Sequence, residues 1–152
     1  MAKFSAEQAA DVAAIQQVIN EWGDELDTNS GTKITEADVL TQDCRYFVGG
    51  DWREGLAPAA QWYKDRMVQL KASEAGPPTM RHLHCNFRVT LTDKDHAKVG
   101  FLLLFFAKAG EPPFVGYCDP LAVADVRMEC RRDADGHWRI SMFDSGQIFR
   151  RG

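Results

Sequence analysis

The sequence lacks the long apolar stretches that anchor a protein in a membrane or direct it across one. Its longest apolar run, from Val99 to Ala107, is interrupted by Gly100. That run is far shorter than the roughly 20 residues that a membrane-spanning helix needs. The first residues, Met1 to Ser5, carry neither the apolar core nor the cleavage site of a secretory signal. We therefore expect a cytoplasmic protein with no membrane partner.

Cysteine is also scarce, and its four copies are widely separated in the chain. Cys44, Cys85, Cys118 and Cys130 form no Cys-x-x-Cys pair, and no histidine stands at the spacing of a zinc finger. This spacing favours reduced and mostly buried thiols over disulfides. It also gives no reason to expect a structural metal site.

Positive charge is not in excess, because 18 Lys and Arg residues stand against 22 Asp and Glu residues, for a net charge of −4. A protein that binds the phosphate backbone of a nucleic acid normally presents a basic face, and no nucleic-acid motif is present. The sequence also lacks a nucleotide-binding loop and a nucleophile elbow. It thus predicts no nucleic-acid partner and no cofactor.

The N-terminal half carries the patterns of helices. Ser5 and Gln8 have the spacing of a capping box, and they precede an apolar stripe at helical intervals formed by Val12, Ile15, Ile19, Trp22 and Leu26. Asn29-Ser30-Gly31 ends this helix, and Thr35 to Leu40 could add one or two further helical turns. Cys44 to Val48 then reads as a short strand that ends in the turn Gly49-Gly50-Asp51.

A second long helix is predicted after this turn, with Pro58 near its first position. Its apolar stripe consists of Leu56, Ala60, Tyr63, Met67 and Leu70. Gly76-Pro77-Pro78 ends it, because proline cannot donate to the hydrogen-bond ladder of a helix.

Beyond Met80 the pattern changes to that of strands. Leu83, Cys85, Phe87, Val89 and Leu91 alternate with polar residues. Further strands are predicted at Ala97 to Ala107, Leu121 to Arg131 and His137 to Phe149, and the Asp135-Gly136 pair predicts a hairpin before the last one. Helices followed by strands indicate an α+β fold, with N-terminal helices packed on a curved, mostly antiparallel sheet in a single domain, residues 1–152.

Such a sheet forms a cone whose open end would be a mostly apolar pocket. Asp27 stands at the end of the first helix, where the helix macrodipole disfavours negative charge. His82 and His84 open the first long strand on one face, followed there by Asn86. Histidine is the side chain best suited to transfer protons near neutral pH, and a carboxylate partner orients it. The alternatives are a solvated helix end and histidines that hydrogen-bond across the sheet, and the cluster offers too few ligands for a metal.

Three short segments carry a resemblance to a known family. Trp22 to Asp27, Met80 to Leu83 and Asp135 to Ile140 resemble the SnoaL-like branch of the NTF2-like (cystatin-like) superfamily, and within it scytalone dehydratase and dehydrochlorinase-type enzymes. The resemblance implies a cone-shaped fold and a catalytic dyad that matches Asp27 and His82 here. His82 would remove a proton from a carbon next to an activating group, while Asp27 would hold the imidazole and stabilise its charged form.

The sequence departs from scytalone dehydratase at several positions. Leu26 stands where that enzyme has a Tyr, Leu102 where it has a second His, and Asp125 and Arg127 where it has a Ser and an Asn. The substrate must therefore differ. The candidate substrate-binding residues are Tyr46, Trp52, Tyr63, His84, Asn86, Leu102, Asp125 and Arg127, and aromatic rings suit such a pocket because each buries a large area and offers a polar tip.

The orientation of His82 stays open at this point. The alternation places Leu83, Cys85 and Phe87 on one face of the strand and His82 on the other. If the apolar face meets the helices, His82 faces away from the pocket. A β-bulge near the start of the strand would reverse this, and so would a second subunit that covers the other face.

These observations predict a cofactor-free lyase, a dehydratase-like hydro-lyase, or an isomerase that acts on a small apolar cyclic or aromatic compound. Two alternatives are a non-catalytic subunit, similar to the β subunit of ring-hydroxylating dioxygenases, and a small-ligand-binding domain. Because Ala97 to Ala107 is almost continuously apolar, both faces of that strand should be covered. We therefore expect a homo-oligomer, a dimer or a trimer, that packs through the outer face of the sheet.

Overall fold

The computed structural model describes residues 4–32, 34, 38–73 and 76–151. Two long helices, α1 (Ala6–Thr28) and α2 (Leu56–Ala72), pack on a six-stranded sheet. The strands are β1 (Leu40–Val48), β2 (Asp51–Glu54), β3 (Thr79–Leu91), β4 (His96–Lys108), β5 (Ala122–Arg132) and β6 (Trp138–Arg150). In the sheet they follow the order β2-β1-β6-β5-β4-β3. The β1–β6 pair is parallel and the other pairs are antiparallel, which confirms the α+β class and the mostly antiparallel sheet.

Helix α1 begins and ends as the sequence predicts. The Gln8 N–H donates to Ser5 Oγ at 3.2 Å and the Ser5 N–H donates to Gln8 Oε1 at 2.9 Å, so the capping box is present. At the other end Asn29 adopts a left-handed conformation (φ 48°) and donates its N–H to the carbonyl of Glu25. These contacts satisfy backbone groups that a helix end leaves without partners. They also fix the direction in which Asp27 leaves the last turn.

The apolar stripes of both helices face one side of the sheet. α1 contacts β3 and β6, and α2 contacts β1 and β2. The fully buried side chains between these layers include Trp22, Tyr46, Tyr63, Phe101 and Ile140. In α2 only the first half is buried, with Met67 and Leu70 partly exposed. The second half of α2 therefore borders open space rather than core.

Three local predictions need correction. β1 begins at Leu40, four residues before the predicted Cys44, and β2 (Asp51–Glu54) was not predicted because four polar or exposed residues carry no apolar alternation. The first half of the short helix predicted from Thr35 to Leu40 lies outside the described residues, and its second half is not helical, because Asp38 is in a turn and Leu40 belongs to β1. The hairpin between β5 and β6 is confirmed, with the Gly136 N–H bonded to the Asp133 carbonyl. Only Gly136 (φ 83°) has a positive φ there, so the pair does not form a turn with two positive φ angles.

A β-bulge in the middle of β3 decides which side chains face the helices. Asn86 has a φ of 57°, and the register with β4 shifts between Cys85 and Arg88, where β3 holds one extra residue. Such an insertion exchanges the two faces of a strand. Before the bulge Met80, His82 and His84 face the helices, whereas after it Phe87, Val89 and Leu91 do. The bulge thus decides the orientation that the alternation left open, because it places Leu83 and Cys85 on the outer face and His82 on the inward face.

The outer face of the sheet keeps apolar residues exposed on β3 and β4. On β4 the side chains of Ala97, Val99, Phe101 and Leu103 are buried against the helices, whereas Leu102 and Leu104 on the other face are only partly buried. Leu83, 50% exposed, stands opposite Leu104 in the register of the two strands. One face of β4 is thus covered within the chain and the other is not.

Candidate functional site

A cavity of about 440 Å³ opens between the two helices and the inward face of the sheet. Its helical and turn side is formed by Leu26, Gly49, Gly50, Trp62, Tyr63 and Arg66. The wall on the sheet includes Met80, His82, Leu103, Phe105, Ala124 and Phe143. Asn29, Ser145 and Gln147 add polar groups to a lining that is otherwise mostly apolar. This size and character are typical of pockets that bind small organic molecules.

Asp27 and His82 are in direct contact at the wall of this cavity. Asp27 Oδ1 lies 2.9 Å from His82 Nδ1, and the same oxygen accepts the backbone N–H of His82 at 2.9 Å. Both side chains are mostly buried, at 18% and 14% exposed. The last turn of α1 supplies the carboxylate and the first residues of β3 supply the imidazole. The backbone bond holds Asp27 Oδ1 beside His82, and the contact of the same oxygen with Nδ1 orients the imidazole ring.

The contact also determines which nitrogen of His82 is left for chemistry. An ionised carboxylate only accepts hydrogen bonds, so this contact selects the tautomer of a neutral imidazole in which Nδ1 carries the proton and Nε2 the lone pair. His82 lines the cavity whereas Asp27 does not, and the ring stacks on Phe105 with centroids 4.5 Å apart. Arg81 Nη1 lies 3.8 Å from Asp27 Oδ2 and adds positive charge beside the carboxylate. The arrangement is that of a general base held by an orienting carboxylate.

His84 is partly buried and takes no part in this wall. Its ring stacks on Trp22 with centroids 5.3 Å apart and meets Phe101 edge-on at 5.2 Å. Its Nε2 is buried and has no hydrogen-bond partner among the residues that the structure describes. Burial first, and then the neighbouring His82, lower the pKa of His84 to about 4 against the opposing charge of Asp27. His84 is thus neutral at physiological pH and packs against core residues outside the cavity.

Two of the predicted aromatic residues form a buried hydrogen-bonded chain. The indole Nε1–H of Trp22 donates to the Tyr46 hydroxyl at 2.6 Å, and the hydroxyls of Tyr46 and Tyr63 lie 2.6 Å apart. Tyr63 lines the cavity, whereas Tyr46 lies behind it, which corrects its predicted place in the pocket. Burial raises the pKa of both hydroxyls well above the usual value. Each hydroxyl therefore keeps its proton.

Two further candidates lie away from the cavity. Trp52 is 40% exposed on β2, where its ring packs against Phe47 and the Arg45 guanidinium. It borders a charged hollow on the outer face of the sheet. Asn86 is exposed in the bulge of β3, where its left-handed backbone serves the change of face. Neither residue can contact a molecule in the cavity.

The candidates on β4 and β5 also point outward. Leu102 and Asp125 pair with each other in the register of these strands, and Arg127 forms an ion pair with Asp144 on the same outer face. The error is one of parity, because the side chains that line the cavity are those of the adjacent residues, Leu103 and Ala124. A one-residue shift exchanges the faces of a strand. For Leu102 and Asp125 the position transferred by resemblance thus lies one residue from the cavity lining, whereas neither neighbour of Arg127 lines the cavity.

Sequence reasoning did not identify several residues of the cavity wall. Trp62 and Arg66 stand one turn apart on α2 beside Tyr63, so helical spacing could have indicated them. Phe105 was hidden in the continuous apolar run of β4, which gives no signal of which face points inward. Within the described ranges, no group of three or more His, Cys, Asp or Glu residues could hold a metal ion, and no helix is long and apolar enough to cross a membrane.

Comparison with known proteins identifies the fold. A family model described as the SnoaL-like domain matches residues 7–144, which is most of the chain. No curated protein matches the sequence. An NTF2-like protein with a cystatin-like fold from Novosphingobium aromaticivorans superposes with a TM-score of 0.67 at 19% identity, over 92% of this chain and 83% of that chain.

Two other similar structures carry names that mention a ligand or an activity. A structure from Catenulispora acidiphila in complex with S-DNPA has a TM-score of 0.70 at 19% identity, over 92% of this chain and 95% of that chain. The hexachlorocyclohexane dehydrochlorinase LinA-type3 from Novosphingobium barchaimii has a TM-score of 0.72 at 16% identity, over 95% of this chain and 91% of that chain. At these identities the likeness establishes the NTF2-like fold alone.

Proposed function

The chain belongs to the SnoaL-like domain family, and we propose that it is a cofactor-free lyase or isomerase that acts on a small apolar ring compound. The observation that carries this proposal is the 2.9 Å contact between Asp27 and His82 at the wall of the cavity. A histidine oriented by a carboxylate beside an open apolar space is the arrangement that proton abstraction from carbon requires.

In the proposed reaction Nε2 of His82 takes a proton from a carbon next to an activating group. The electron pair of that C–H bond forms a new C=C bond to the neighbouring carbon. The bond from that neighbour to its leaving group breaks, and the leaving group departs with the bonding pair. In the isomerase variant the proton returns to a different carbon and nothing leaves. Both reactions begin with the same step at His82.

Asp27 has two roles in this scheme. Its carboxylate accepts a hydrogen bond from Nδ1–H of His82, which orients the ring so that Nε2 is left for the substrate. Its negative charge also stabilises the imidazolium that forms when Nε2 takes the proton. The stacking of Phe105 on the ring excludes water from one side of the imidazole. In a dry site such a charge interaction is worth more than it is in water.

The name of one structural neighbour supports the reaction class. A hexachlorocyclohexane dehydrochlorinase shares the fold, and its name describes the loss of hydrogen and chloride from a ring compound. Loss of water in a dehydratase-like reaction follows the same course with a different leaving group. The cavity lining of this chain, apolar apart from a few groups, fits a ring compound in either case.

A small-ligand-binding domain is the second candidate, and the cavity itself favours it, since a neighbour of this fold is in complex with S-DNPA. A non-catalytic subunit is favoured less, because a chain that serves assembly alone has no need of an open cavity of about 440 Å³. The oriented His82 separates the first candidate from both, because a pocket that only binds does not need a base.

Hydrogen exchange between carbon and solvent tests the proposal without knowledge of the leaving group. The purified protein is incubated in D₂O with a panel of ring ketones and halogenated rings that carry acidic C–H bonds, and deuterium in each compound is followed by NMR. We expect deuterium in at least one compound or in its elimination product, and none with His82→Ala. Matched controls are His96→Ala and Asp93→Asn, because His96 and Asp93 form a similar pair at 3.0 Å on the exposed surface. Exchange that persists in His82→Ala would contradict the proposal.

A further inference from the structure

We propose that Arg66 binds an anionic group of the ligand, so that the cavity selects an apolar ring compound with a single carboxylate. This inference rests on the proposed function in that it names the substrate class of the same cavity. Arg66 stands on α2 and lines the cavity together with Tyr63 and His82. It is partly buried, and among the described residues no carboxylate lies within ion-pair distance of it.

Several arginines of the chain have a carboxylate partner, whereas Arg66 has none among the described residues. Arg127, Arg131 and Arg139 each bond to at least one carboxylate. A partly buried guanidinium has lost part of its hydration, and it gains from an anion that restores hydrogen bonds to its donors. The cavity is the place from which such an anion can reach Arg66, since Arg66 is part of its wall.

The guanidinium of Arg66 contacts one residue of the cavity lining and acts electrostatically on another. Arg66 Cζ lies 5.6 Å from the ring centroid of Trp62, a cation–π contact with another residue of the lining. The pKa of Tyr63 is raised by burial and by Tyr46, and the positive charge of Arg66 opposes that rise. The positive charge of Arg66 therefore acts on the hydroxyl of Tyr63, a residue of the cavity wall.

The charges of the lining point to a monoanion. Among the described residues that line the cavity, Arg66 is the one Lys or Arg, and none is Asp or Glu. A phosphate with two negative charges would leave one charge without a partner in an otherwise apolar lining. A carboxylate carries one charge and presents two oxygens that match the planar fork of a guanidinium. An aromatic or cyclic carboxylate thus fits both the charge and the apolar walls.

Binding of two matched probes tests the proposal. Naphthalene-2-carboxylate and the neutral naphthalene-2-carboxamide are titrated into the full chain by calorimetry, with wild type, Arg66→Gln, Arg66→Lys and Arg88→Gln. We expect the carboxylate to bind more tightly than the amide to wild type, and Arg66→Gln to weaken the carboxylate about 10- to 100-fold while leaving the amide nearly unchanged. Arg66→Lys should retain part of the preference because it retains the charge. Arg88 is the matched control, since it is exposed on β3 away from the cavity and forms no ion pair with a described residue.

The outcomes separate this inference from the proposed reaction. In His82→Ala the ratio of the carboxylate affinity to the amide affinity should stay as in wild type, whatever the affinity for each probe, because His82 lines the cavity and the anion contact is made by Arg66. Equal affinity for the two probes in wild type, or an unchanged ratio in Arg66→Gln, would overturn the assignment of Arg66. Tighter binding of 2-naphthyl phosphate than of the carboxylate would overturn the choice of a monoanion. Thermal melting of each variant establishes that the chain is folded in the assay.

Discussion

Gly23 lies directly against the imidazole of His84. A Cβ atom built on Gly23 would be 2.6 Å from His84 Cε1, closer than real Cβ contacts come. The glycine stands inside α1, where glycine lowers helix stability relative to alanine, so its position is explained by this contact and not by helix propensity. The absence of a side chain at Gly23 thus leaves room for the His84 ring to stack on Trp22.

Gly23→Ala should therefore destabilise the protein even though alanine favours a helix. The added methyl group displaces His84 from its place between Trp22 and Phe101, and overpacking of this kind costs about 1–3 kcal/mol. Urea denaturation measures the change. Gly146→Ala is the matched control, because a Cβ there meets nothing within 4 Å. A Gly23→Ala variant as stable as wild type would show that the ring is not confined.

Acid should reduce the stability of the fold through His84. Burial lowers the pKa of His84 to about 4 in the folded chain, against 6.5 for an ordinary histidine. As the pH falls below 6.5 the unfolded chain binds a proton that the folded chain does not, so stability is lost between about pH 6.5 and 4 and is unaffected above that range. The loss attributable to this residue is at most about 3 kcal/mol.

The comparison that isolates this effect is between wild type and His84→Leu. Free energies of unfolding are measured by urea denaturation from pH 7.5 to 4. As the pH decreases below 6.5, the free energy of unfolding of wild type should fall steadily relative to that of His84→Leu. Two curves that stay parallel over the whole range would contradict a buried neutral His84.

The outer face of the sheet should hold a second copy of the chain. Leu83, 50% exposed, stands opposite Leu104, and Cys85 stands opposite Leu102, so an apolar strip runs along β3 and β4. We expect wild type to sediment as a dimer or a trimer and Leu83→Lys to sediment at lower mass, because a charge cannot be buried in such a contact without a partner. The control is Val68→Lys, at an exposed apolar residue on α2 away from this strip. A wild-type protein that sediments as a monomer would refute this prediction.

The elements that the sequence predicted well are those with short-range signals. Ser5 and Gln8 define the start of α1, and Gly136 defines the last hairpin, because each signal acts within a few residues. Asp27 and His82 were proposed as a pair from their positions and from a family resemblance, and the structure places them in contact. Their catalytic role remains a prediction.

The residues that were misplaced depend on features that a pattern of apolar residues does not encode. The bulge at Asn86 exchanges the faces of β3, and nothing in the alternation of Leu83 and Cys85 reveals it. On β4 the run of apolar residues has no polar face, so Leu102 could not be told from Leu103. The extra residue in β3 is held by tertiary pairing with β4, which becomes visible only when the sheet is formed.

A double-mutant cycle on Asp27 and His82 tests the central claim most directly. Turnover of a compound found active in the exchange assay is measured for wild type, Asp27→Asn, His82→Ala and the double variant. Loss of the orienting carboxylate should lower the rate about 10²- to 10⁴-fold, by analogy with the aspartate of a catalytic triad. The double variant should be no slower than His82→Ala, because two residues that act as a unit can be lost only once. An Asp27→Asn variant with nearly wild-type turnover, or two losses that multiply, would contradict the account.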